Sequence, residues 1–194
     1  RDGLYGSVRT IADKRDEALE LFRLALTEPR FDEEPVNRIR QQLFSSIKQD
    51  ESNPNMIAQK VWFEQVLGDH LYARQVKGTR EGLAKITQDD LKAFVAQSFA
   101  RDNLRVSVVG AISADDLAPL LDKTFGGLPE KSEVENVAEA TVGAAGQMLV
   151  YEREQPQSVV VFGSQGLKIE DPDFIPAYVM NYILGGGSFS SRLM

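Results

Sequence analysis

Apolar side chains recur at helical spacing through most of the first half of the chain. From Asp13, the positions Ala18, Phe22, Ala25 and Leu26 fall on one face, and Pro29 ends the run. A second helix is predicted from Asp32, with Val36, Ile39, Leu43 and Ile47 as its stripe. Ser52-Asn53-Pro54 reads as a cap followed by proline in the first turn, so a third helix continues through Ile57 to Leu67. Thr79 and Thr87 are further N-cap candidates, opening a short helix near Glu81–Ile86 and a longer one over Gln88–Ser98. Ser113 opens another, carrying Leu117, Leu120, Leu121 and Thr124 on one side.

Shorter apolar runs predict strands at Leu4–Val8, Arg105–Gly110, Met148–Tyr151 and Ser158–Phe162. Between the second and third of these runs, Gly126–Gly146 is poor in large apolar residues and reads as an interdomain linker. Asp171-Pro172 then opens a helix to Leu184, which ends at Gly185-Gly186-Gly187. Helical blocks beside hairpin-like strands predict an α+β class rather than a doubly wound parallel sheet. The expected division is 1–127, a linker at 128–146, and 147–194.

Composition narrows the chemistry. The 194 residues are 42% hydrophobic and 26% charged, an ordinary globular balance. With 22 basic and 29 acidic residues the net charge is -7, which repels phosphate backbones and argues against nucleic acid. No apolar run is long enough for membrane insertion. The absence of cysteine removes thiolate nucleophiles, disulfides and cysteine-ligated metal together. His70 is the one histidine, so a zinc site with two histidines or a Ser-His-Asp triad has no second chance. A hydrogen-bonding role in the turn before Tyr72 is the better reading for it. The carboxylate pairs mostly open helices, where they complement the helix dipole, and none is assigned acid–base work. No catalytic residue and no metal ligand is therefore assigned in this chain. Ser46 is expected to face inward and bond back to its own helix.

The run Gly185-Gly186-Gly187-Ser188-Phe189-Ser190 follows a helix and is not followed by lysine, so it is no phosphate loop. One glycine suffices for a cap, and a phenylalanine among small residues suits a contact loop. Gly185, Gly186, Gly187, Ser188 and Phe189 are therefore the candidate substrate-binding residues. Unobstructed amides and access to positive φ at the glycines, with Tyr178, Tyr182 and Leu184 anchoring the helix in a core, are expected to serve that role.

Several segments together resemble the insulinase/pitrilysin family of zinc metallopeptidases. They include Val159–Gly163, Asp171-Pro172-Asp173-Phe174 and Leu184-Gly185-Gly186-Gly187-Ser188-Phe189-Ser190-Ser191-Arg192-Leu193. Upstream lie His70-Leu71-Tyr72-Ala73-Arg74 (Leu71 where the family pattern has proline), Gly78-Thr79, Ile86–Leu91, and Asp102-Asn103-Leu104 leading to Val108-Val109-Gly110. The resemblance implies a two-domain sandwich, this chain covering the end of one α+β domain and the start of the next. In active members a His-x-x-Glu-His motif and a later glutamate hold zinc. The motif is absent here and would belong upstream of Arg1, and the later glutamate corresponds to Ser46. An arginine–tyrosine pair that assists catalysis would lie beyond Met194. The implied role is a non-catalytic, substrate-binding subunit without its own cofactor, whose partners are a zinc-bearing active peptidase subunit and a peptide. Two alternatives stay open: an active zinc endopeptidase with its motif upstream and Asp50 or Glu51 replacing Ser46, and a structural assembly subunit of the same fold. Relatives with these features are often exported, which makes the periplasm an expectation.

Overall fold

The computed structural model describes residues 3–193, which form seven α-helices and several tighter or wider turns. The chain divides into two compact units, 1–57 with 74–139, and 58–73 with 140–194. It therefore leaves the first unit after Ile57 and re-enters it at Arg74.

In the first unit, α1 (Arg15–Thr27) and α6 (Ala114–Phe125) pack together. Phe22 meets Phe125 edge to face, the ring centroids 6.1 Å apart. Beside that contact Arg23 bonds Glu20 and Glu28, and Lys123 of α6 reaches Glu20 at 3.5 Å. Thr124 is buried and returns its hydroxyl to the Leu120 carbonyl, so its polar atom is satisfied without leaving the helix. Ser113 caps α6 by accepting from the Asp116 amide.

The second helix, α2, spans Glu33–Ser52 with Glu33 and Glu34 in its first turn, where carboxylates favour the positive helix end. Of its predicted stripe, Val36, Leu43 and Ile47 are half-buried, while Ile39 stays 50% exposed. After the re-entry come α4 (Arg80–Lys85), capped by Thr79, and α5 (Gln88–Ser98), capped by Thr87. The Gln88 side chain donates to the Arg30 carbonyl and fixes the start of α5 against the α1–α2 connection. Residues 129–133 lie along the end of α5: Arg101 donates to Pro129, Asp102 to Glu130, and Glu133 to Gln97. The start of the predicted linker is thus docked on the first unit by its backbone.

The helix α3 (Pro54–Leu67) begins with proline at its first position, and Asn53 Oδ1 accepts from the Asn55 amide. Its later residues belong to the second unit, where Gly143 donates to the Val66 carbonyl at 2.8 Å. Trp62 and Phe63 stack edge to face, and Gly163 lies so close to Trp62 that a Cβ there would fall 2.7 Å from the indole. Helix α7 (Phe174–Asn181) begins three residues later than Asp171, whose carboxylate accepts from the Asp173 amide instead of capping a helix.

The strand half of the α+β expectation is not met, because no described residue belongs to a β-ladder. Period-two apolar patterning marks a segment suited to a sheet, but a strand is stable only when a neighbour takes its N–H and C=O groups. None of the four predicted segments has such a neighbour, and their side chains show it: Val109 is fully exposed and Phe162 is 89% exposed. Burial is correspondingly sparse, with Ala100, Thr124 and Leu128 buried in the first unit and Ala73, Gly187 and Ser191 in the second.

Candidate functional site

Two places hold the residues singled out by sequence, one in each unit. In the second unit α7 does not stop at an ordinary cap. Its last turn widens into a π-turn over Tyr182–Gly186, an arrangement that places one extra residue in the turn. A tight turn at Ser188–Ser190 follows. Ser191 closes that turn twice, its amide and its hydroxyl both donating to the Ser188 carbonyl, while Ser190 Oγ donates to Gly187. Arg192 and Leu193 then donate to the carbonyls of Ile183 and Leu184, folding the chain back along the π-turn. The result is a closed knuckle of backbone hydrogen bonds with Phe189 at its tip, 91% exposed.

The glycines serve this knuckle by being small. Gly185, Gly186 and Gly187 all have negative φ, and the positive value falls on Ser188, at 59°. The glycines therefore do not use the access to positive φ that was expected to serve them. Gly187 is buried, with space only for hydrogen where a Cβ would meet the Tyr182 carbonyl and ring. Gly185 has ordinary room, its nearest neighbour being Leu193 at 3.7 Å. Nor do Tyr178, Tyr182 and Leu184 anchor the helix in a core; they are 59%, 56% and 41% exposed. A helix apolar on several faces needs cover on each of them, and the second unit supplies little.

The first unit holds Ser46. It is half-buried but does not bond back to its helix; its neighbour Ser45 does, to Gln41. Ser46 Oγ instead accepts from the ammonium of Lys77 at 2.7 Å, and that ammonium also donates to Asp50 Oδ2 at 2.6 Å. The contact was invisible in the sequence, since 31 residues separate Ser46 from Lys77. Two arguments follow for the chemistry here. Lys77 donates to Ser46 in this contact and does not accept from it, so Lys77 is not placed as a base for Ser46. A serine hydroxyl is a poor zinc ligand, and a fixed cation repels another; the residues present do not fit a metal ion. Among the described residues no group of three His, Cys, Asp or Glu gathers in ligand geometry. Asp50 is committed to Lys77. His70 accepts from the Tyr72 amide through Nδ1 at 3.1 Å, the turn role expected of it.

Comparison with known proteins gives these two places a context. Residues 85–194, more than half of the chain, match the family model described as the peptidase M16 inactive domain. The chain belongs to the peptidase M16 family. That is the insulinase family of the resemblance, and the matched stretch contains the whole 185–189 knuckle. The chain is 28% identical to a non-peptidase homolog, YmxG, of Helicobacter pylori, across 100% of its own length and 44% of that protein. It is 24% identical to a probable mitochondrial-processing peptidase subunit beta of Schizosaccharomyces pombe, covering 63% of this chain and 30% of that one. A crystal structure of a peptidase M16 inactive domain from Pseudomonas fluorescens superposes with a TM-score of 0.74 at 27% identity, covering 94% of this chain and 44% of that one. The chain thus spans less than half the length of the relatives it matches. Among the described residues no helix is long and apolar enough to cross a membrane.

Proposed function

We propose that this chain belongs to a non-catalytic member of the peptidase M16 family that holds peptide for a zinc-bearing partner of the same family. The observation that carries the reading is the Ser46–Lys77 contact on α2, at the position where the family resemblance puts a zinc-ligand glutamate, because a hydroxyl held by an ammonium does not suit a metal ion. The match to an inactive-domain model and the likeness to a non-peptidase homolog support it. The likeness to a protein named as a processing-peptidase subunit supports a role within an assembly.

Peptide contact is assigned to the 185–189 knuckle. Its closed hydrogen bonding fixes the backbone before binding, which lowers the ordering cost. Phe189 at the tip offers an apolar face without shape selection, suited to unfolded peptides of varied sequence. The test is the affinity of the full-length protein for an extended peptide, measured by fluorescence anisotropy, with and without Phe189→Ala. A severalfold loss is expected while thermal unfolding stays unchanged. Equal affinity for the two proteins would remove the knuckle from the binding surface. Co-purification with a family member carrying His-x-x-Glu-His is the second expectation, and turnover by the isolated protein would overturn the non-catalytic reading.

A further inference from the structure

The contacts of Lys77 lie at a special place in the chain path. Asp50 stands seven residues before the chain leaves the first unit after Ile57, and Lys77 stands three residues past its re-entry at Arg74. Ser46 and Asp50 are four apart on α2, so they share a face and can receive one ammonium together. The turn that presents Lys77 is closed by the Gly78 amide donating to the Gln75 carbonyl at 2.9 Å, and Gly78 takes a φ of 72°. Positive φ is a conformation that glycine enters without a Cβ clash, so the sequence is built for this turn. Lys77 and Asp50 are partly shielded, with 37% and 27% of their side chains exposed.

The next residues repeat the theme. Arg80 lies over the Phe44 ring at 5.1 Å, and Arg40 donates to the carbonyls of Leu83 at 3.1 Å and Ile86 at 2.6 Å. Arg40, Phe44, Ser46 and Asp50 run along α2, and each of these contacts with the 77–86 stretch uses a cationic side chain. Arg40 also takes over two carbonyls at the end of α4, where a short helix has no further turn to satisfy them.

We propose that Lys77, Ser46 and Asp50 form an electrostatic latch that closes the excursion of the chain over residues 58–73 at its root, with Arg80 and Arg40 extending it along α2. The latch sets how readily the 74–80 stretch opens from α2. It does so through charge, so the opening responds to ionic strength, whereas the Phe22–Phe125 contact between α1 and α6 does not. This device shares the Ser46–Lys77 contact with the non-catalytic reading and is independent of peptide contact at the 185–189 knuckle, which lies in the other unit.

The 74–80 stretch contains its own reporters, since Arg74, Lys77 and Arg80 are tryptic sites. The experiment is limited trypsinolysis with hydrogen exchange on the full-length protein and on Asp50→Asn, which keeps the shape of the side chain and all three sites. In low salt, cleavage at these sites and exchange of the 75–79 amides should rise on the order of tenfold in Asp50→Asn, while α1 and α6 peptides are unchanged. Near about 1 M salt, where the screening length falls to about 3 Å, the wild type should move toward the variant. The exchanged pair Asp50→Lys with Lys77→Asp should recover protection, measured at Arg74 and Arg80. The latch is overturned if Asp50→Asn leaves cleavage and exchange at 74–80 unchanged. It is equally overturned if α1 and α6 open in step with 74–80, because the contact would then hold the whole unit and not the root of the excursion.

Discussion

A Cβ placed on Gly187 would stand 2.8 Å from the carbonyl oxygen of Tyr182 and 3.2 Å from its ring. The carbonyl is backbone, so it cannot retreat without opening the knuckle. Gly187→Ala should therefore destabilise the second unit by about 1–3 kcal/mol, the usual cost of overpacking. Gly185→Ala meets nothing closer than Leu193 at 3.7 Å and has negative φ, so it should be neutral or slightly stabilising. Thermal unfolding of the two variants checks the contrast. Equal effects would mean that space is not what the glycines provide. The contrast also makes Phe189→Ala the cleaner probe of peptide binding, since an all-alanine loop would change fold and contact together.

Ser188, not a glycine, carries the left-handed backbone of the knuckle, with φ at 59°. An L-residue there costs roughly 1 kcal/mol relative to glycine. The bonds that Ser188 makes in closing the turn use its carbonyl oxygen, which glycine retains. Ser188→Gly should thus stabilise the folded knuckle by up to about 1 kcal/mol, less what glycine adds to unfolded-state entropy. Ser188→Val should lower the unfolding temperature. If Ser188→Gly is the more damaging of the two, the side chain has a contact that outweighs the strain.

The helices were legible in the sequence because their signals are local. Thr79, Thr87 and Ser113 each cap the helix predicted to follow, and Pro54 opens α3 as its position implied. The strands were read from an equally local pattern, but a strand needs a partner, which period-two spacing cannot provide. The same limit applies at the candidate sites. Ser46 was read from its place on α2, and its actual partner, Lys77, lies across the excursion through the second unit. Composition singles out the 185–189 run as a contact loop, but neither its closed hydrogen bonding nor the reason for each glycine is legible there, since the closeness of Tyr182 to Gly187 depends on a π-turn with no sequence signature of its own.

Asp90 gives a pH dependence with a definite sign. It closes a capping box with Thr87: its carboxylate accepts from the Thr87 hydroxyl at 2.7 Å and amide at 2.8 Å, and the Thr87 hydroxyl accepts from the Asp90 amide. The hydroxyl bond and then the amide bond hold its pKa below the ordinary carboxylate value. A folded-state pKa below the unfolded one means that the stabilisation is complete above the unfolded value, about 3.9. It is lost as pH falls through the lower folded value. Asp90→Asn should therefore differ in stability from the wild type at neutral pH, and the difference should shrink in acid below about pH 4. Denaturant unfolding at a series of pH values measures this. A gap that is constant down to strongly acid solution would show that the charge contributes nothing to the cap.

The last expectation concerns metal, and it separates two explanations of the Ser46 position. If the serine alone keeps zinc from α2, a carboxylate at position 46, where the family resemblance puts a zinc-ligand glutamate, should begin to build a site. The structure gives a different expectation, because Ser46 Oγ already receives the Lys77 ammonium at 2.7 Å. A glutamate at 46 on the same face would meet that ammonium first, forming a charge-assisted hydrogen bond about twice as strong as a neutral one. Its negative charge would be neutralised by Lys77, and Asp50 would remain within the same network. Ser46→Glu should therefore leave zinc content by elemental analysis at the wild-type level after dialysis. Its unfolding temperature should stay level or rise, since the carboxylate gains a cation already in place. Combining Ser46→Glu with Lys77→Met frees both carboxylates. The double variant should then unfold more easily than Ser46→Glu alone, because two like charges four residues apart on one helix face repel each other. One equivalent of zinc held by Ser46→Glu with Lys77 intact would overturn the argument, for it would mean that the ammonium gives way to metal and that the serine was the barrier.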